Sequence, residues 1–330
     1  MSCRRLNTVR LMLSLFLFLG YSMFFARNSC HAQMTSERHA AFALLEHYET
    51  VLYARADFLS NSDEFGGMDK DSADTLRLPF QEILEGLKHS GTYNSMELMR
   101  NSDAVLLGAR EFRPPAGLGA VHSKRCYIVI LRGNNKQDIH KYFRRAATES
   151  LDGLQVWKWS AQLGEFGEDD ASQPSTFYAV QIKRSYLLIA NNRDDLRDVM
   201  RGLTSTENHE AILADIPDWD ILSVHEVWGY RHIRRTGIFN EEVAGLSFVT
   251  PSIEVLSFFV DFKKKSSVVR ILGSDMNRDT VPKINPAAEP PTFKWLAPGI
   301  WEAKIPFSEN QAKYSPLLLI LVRLGFGIHV

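Results

Sequence analysis

The residue pattern predicts an α+β fold built mainly from antiparallel sheets with hairpins and packed helices. Three observations carry this. In residues 254–262, Leu256, Phe258, Val260 and Phe262 fall on one face of a strand, Lys263-Lys264-Lys265-Ser266 makes a solvated turn, and 268–273 returns. Residues 176–182 and 186–191 form a second such pair about Lys183-Arg184-Ser185. Helical spacing is scattered among the strands, which disfavours a doubly wound parallel sheet. Each half holds a strand, a hairpin with a basic turn and a helix, which suggests two similar lobes, 33–205 and 206–330.

Taken in order, 35–49 reads as an amphipathic helix, with Phe42, Leu45 and Tyr48 spaced along one face behind a Thr35-Ser36 cap. A strand over 50–58 follows. Its pattern returns at 105–112, so the two are expected to be neighbours in one sheet. Residues 61–74 read as a polar loop, and 79–89 and 95–100 as helices. After a stiff turn at 113–119 come a strand over 125–132, a helix over 137–147 and a strand over 154–160. The acidic stretch 164–174 reads as a flexible loop. The hairpin described above leads to a helix over 194–203, capped by Asn191 or Asn192, with Asp194 and Asp195 where the helix dipole favours acid.

In the second half, a short helical segment from Glu207 stops at Pro217 and 220–231 reads as a strand. Residues 276–291 form a loop and 299–307 a strand. Ser308 caps a terminal helix kinked at Pro316, and 326–330 closes as a strand.

Residues 1–32 read as an export signal. Arg4, Arg5 and Arg10 precede the apolar run 11–26, and Cys30-His31-Ala32 presents small residues before Gln33. The sixteen residues of this run would span about 24 Å as a helix, short of a hydrocarbon core of about 30 Å, so cleavage is favoured over anchoring. Membrane association is expected only through this segment, if it is retained. The chain has no Asn-X-Ser/Thr sequon, which leans towards a bacterial periplasmic or envelope setting.

Removing residues 1–32 takes away four arginines and no acid, leaving 34 basic against 39 acidic residues. A mildly acidic chain argues against nucleic acid as a partner. Cys3 and Cys30 leave with the signal, so Cys126 remains as the one thiol, in an apolar run expected to be a buried strand.

Motifs for chemistry are lacking. There is no Gly-X-Ser-X-Gly elbow, and no lysine has serine three residues before it. Gly117-Leu118-Gly119 lacks the rest of a dinucleotide fingerprint. His225 and His232 are seven apart where a zincin needs four, and Asp69, Asp71 and Asp74 lack the glycine and glutamate of an EF-hand, so no metal and no cofactor is expected. Glu165, Glu168, Asp169 and Asp170 lack an apolar wall and read as a solvated charge run. Two groups remain as binding candidates. Trp157 and Trp159 share a strand face, where aromatic pairs either stack on sugars and apolar ligands or fill the core. Arg231, His232, Arg234 and Arg235, with Lys141, Arg144 and Arg145, form a basic set suited to anionic polymer or lipid.

Residues 102–109, Ser-Asp-Ala-Val-Leu-Leu-Gly-Ala, and Tyr186-Leu187-Leu188-Ile189-Ala190-Asn191-Asn192 before an Asp-rich helix start resemble segments of uncharacterised exported bacterial envelope proteins with an α+β repeat. The resemblance covers about residues 100–203 and implies an envelope protein without assigned activity; it carries no catalytic residue. The expected function is therefore that of an exported, non-enzymatic binding or scaffold protein whose partner is an envelope component or another protein. The alternative is a secreted hydrolase of an unrecognised family.

Overall fold

Apolar strands separated by short turns organise this chain, and a computed structural model shows how they assemble. It describes residues 40–60 apart from 42 and 46, 102–112, 124–133, 139–161, 175–204, 216–232, 246–247, 254–273, 283–284 and 293–306. In chain order the elements are β1 (Thr50–Arg55), α1 (Ala56–Ser60), β2 (Ala104–Phe112), β3 (Lys124–Arg132), a 3₁₀ turn (Ile139–Phe143), β4 (Ala147–Leu151) and β5 (Leu154–Ala161). Then follow β6 (Ser175–Ile182), β7 (Tyr186–Ala190), α2 (Arg193–Thr204), α3 (Trp219–Leu222), β8 (Val227–His232) and β9 (Leu246–Ser247). The last are β10 (Val255–Asp261), β11 (Ser266–Leu272), β12 (Lys283–Ile284), β13 (Lys294–Ala297) and β14 (Ile300–Pro306).

Twelve strands form one sheet in the order β13-β14-β11-β10-β8-β1-β2-β3-β7-β6-β5-β4, and β9 and β12 pair apart from it. All the pairings are antiparallel. The fold is α+β with a mainly antiparallel sheet. The neighbours anticipated from the repeated pattern do pair, Val51 facing Gly108 and Leu52 facing Leu107. On its other edge β1 pairs with β8, so the described strands of 33–205 and those of 206–330 other than β9 and β12 continue as one sheet.

Both faces of the sheet are covered. One buries Leu52, Leu107, Val129, Trp157, Ile189, Phe258 and Trp301; the other buries Val51, Leu106, Ile130, Leu188, Phe259 and Leu272. This is why strands such as β7 read as unbroken apolar runs, since no position along them meets water. The second face carries α2, α3 and the 40–45 helical segment, whereas α1 packs on the first through Phe58 and Leu59. In α2, Leu196, Val199, Met200 and Leu203 recur at helical spacing and are buried, each large apolar side chain contributing roughly 2 kcal/mol. Asn192 caps α2, its Oδ1 accepting from the backbone N–H of Asp194 and Asp195 at 2.9 and 3.2 Å. Asn191 instead accepts from the N–H of Tyr127, extending β3's hold on β7.

Several expectations change. The helix expected over 137–147 is a 3₁₀ turn followed by β4, because Asp152 and Gly153, with φ of 48° and 81°, fold 147–161 into a tight hairpin. The strand expected over 50–58 ends at Arg55 and turns into α1. That expected over 220–231 begins as α3 and extends only from Val227. The helix over 35–49 is seen at 40, 41 and 43–45, and Tyr48 N–H donates to Leu44 at 2.8 Å. The export segment, the elements placed over 61–100, 113–119 and 164–174, the segment from Glu207 to 215 and everything after Pro306 lie outside the described residues; so does most of the 276–291 loop.

Two strand glycines admit large rings. A Cβ on Gly108 would lie 2.8 Å from the Tyr48 ring, and one on Gly229 only 2.1 Å from Phe258 and 2.8 Å from Leu52. Gly229→Ala is therefore expected to destabilise the protein by about 1–3 kcal/mol, read as a lower urea midpoint at unchanged slope.

Candidate functional site

Two polar networks lie on the face of the sheet that carries α2 and α3. The first joins β10, β11, β14 and the residue before α3. Arg270 donates through Nη1 to Asp218 at 3.0 Å and through Nε and Nη2 to Glu302 at 2.9 and 2.8 Å. Ser257 Oγ donates to the second Asp218 oxygen at 2.8 Å, and Lys304 Nζ lies 3.5 Å from the other Glu302 oxygen. The side chains of Arg270, Asp218 and Glu302 are all largely buried. Asp218 has φ of 64° and makes no cap bond to α3, because its carboxylate is drawn to Ser257 and Arg270 instead.

The second network joins the 40–48 segment, β2 and α2. Asp195 is buried and accepts from Tyr48 Oη at 3.1 Å and from Arg110 Nε at 3.2 Å, while Arg110 Nη2 bonds its other oxygen. Cys126 lies opposite Arg110 on β3, buried, and its sulfur accepts from Asn192 Nδ2 at 3.5 Å. Burial first, then the Asp195 charge and hydrogen bond, push the Tyr48 phenol well above its usual value. Bonding to Asp195 likewise raises Arg110.

The opposite face is aromatic. Trp157 and Trp159, which the sequence offers as a ligand-stacking pair, do share a face and are 4% and 7% exposed. Phe143 of the 3₁₀ turn stacks on Trp157 at 4.8 Å, and Phe177 stacks on Trp159 at 5.7 Å. Arg231 is half-buried on β8, opposite Thr50 and Leu256. Its strand is separated from β5 by β1, β2, β3, β7 and β6. Arg234 and Arg235 lie outside the described residues, as do Asp69, Asp71, Asp74 and the 165–170 acids. His225 sits in the turn before β8, its Nδ1 2.7 Å from the Ile221 carbonyl. Among the described residues no three His, Cys, Asp or Glu side chains are grouped to hold a metal, and no helix is long and apolar enough to cross a membrane.

Sequence reasoning places Tyr48 only on the apolar face of a helix and does not single out Arg110, Asp218, Ser257, Arg270 or Glu302. The available signal is weak: a hydroxyl or charged residue interrupts an apolar strand face at Ser257, between Val255 and Phe259, and at Arg270, between Val268 and Leu272.

No family model matches the chain, and no curated protein does. Among solved structures, crystal forms I, III and IV of TP0453 align with 84% of this chain at 7% identity, with TM-scores of 0.43, 0.39 and 0.38. They are covered over 93–94% of their own length. Likeness at this level says nothing about what this chain does.

Arg270→Met leaves Asp218 and Glu302 buried without their cation and is expected to cost about 3–5 kcal/mol, against about 1–3 kcal/mol for Ser257→Ala, both by urea unfolding. Because the folded state favours the neutral Tyr48 phenol, stability is intact below the unfolded value of 10.0 and declines as pH rises beyond it. Tyr48→Phe should flatten that alkaline decline in melting curves and cost about 1 kcal/mol at neutral pH.

Proposed function

We propose that this protein is exported and serves as a non-enzymatic binding or scaffold protein of a bacterial envelope. One observation carries the reading: all six oxygens of the buried carboxylates Asp195, Asp218 and Glu302 are engaged by arginine, lysine, tyrosine or serine. A general base must keep a lone pair directed at its substrate, and a general acid a proton. Here each of those oxygens already meets a cation or hydroxyl of the fold, most of them tying one strand or helix to another. The packing of Trp157 and Trp159 supports the same view, since Phe143 and Phe177 each cover an indole face and both indoles are buried.

Export is supported by the basic and apolar character of residues 1–32 and by Cys30-His31-Ala32 before Gln33. The mildly acidic mature composition fits a protein or polymer partner better than nucleic acid.

The N-terminal peptide of protein recovered from the periplasmic fraction of the expressing cell is expected, by mass spectrometry, to begin at Gln33, free or cyclised to pyroglutamate; recovery of a Met1 chain in membranes would replace cleavage by anchoring. The purified protein is expected to turn over none of a panel of ester, amide, glycoside and phosphoester substrates. Turnover abolished by Asp218→Asn or Asp195→Asn, in variants that stay folded, would establish the hydrolase reading in its place.

A further inference from the structure

We draw no further inference here: the strongest candidate, the exposed Lys263-Lys264-Lys265 turn between β10 and β11 with the exposed Val224 of the α3–β8 turn at the same end of the sheet, carries none, because Asp261 already pairs with Lys264 and nothing in the structure shows what covers the patch.

Discussion

β1 gives hydrogen bonds on both sides, to β2 and to β8, and everything else in the fold is arranged around that double ladder. A strand in the middle of a wide sheet has no water on either edge, so each of its N–H and C=O groups must find a neighbour strand. Val51 meets Gly108 on one side and Tyr230 on the other; Leu52 meets Leu107 and Gly229. The two glycines are at this centre because the rings of Tyr48 and Phe258 close down on the backbone there, one from each face. Moving a side chain onto either glycine disturbs the ladder and the packing above it together.

The two faces divide the work differently. One is apolar and aromatic, stacked from Phe143, Trp157, Trp159 and Phe177, and its cohesion needs no charge. The other accepts α2 and α3, and at two places the contact is polar. Burying a guanidinium with carboxylates adds little net stability over an apolar filling, yet it penalises every arrangement in which one partner is displaced. Arg270 ties Asp218, ahead of α3, to strands β11 and β14, and Asp195 ties α2 to Tyr48 and Arg110. These networks act as registration devices, fixing where the helices sit.

The hairpins and α2 are legible because alternation, turn residues and a capping asparagine are local signals. Cys126 to Leu131 likewise announces a strand covered on both faces. β4 is not legible from periodicity, since Ala147-Thr148-Glu149-Ser150 is too polar for a strand template; its signal is Asp152-Gly153, a turn pair that outweighs the helical spacing before it. α3 escapes for the opposite reason: Trp219, Ile221 and Leu222 look strand-like, but the left-handed Asp218 redirects the chain. The polar networks depend on residues far apart in sequence, such as Tyr48 and Asp195, and no local pattern joins them. Trp157 and Trp159 carry the same residue types whether they bind a sugar or each other's neighbours, so only the stacked Phe143 and Phe177 rings separate those roles.

The central place of β1 also sets an order of assembly. β2 is the first of its two neighbours to be made, while β8 lies beyond β7 and α2, so the β1–β8 seam joins residues as distant as Val51 and Tyr230. Closing such a long chain segment is slow compared with forming the β6–β7 or β10–β11 hairpin. During synthesis the first half therefore waits with β1 as its edge strand, paired on one side only and with apolar surface uncovered. The interval before Val227 to His232 arrives is when this protein most needs shelter from its own copies.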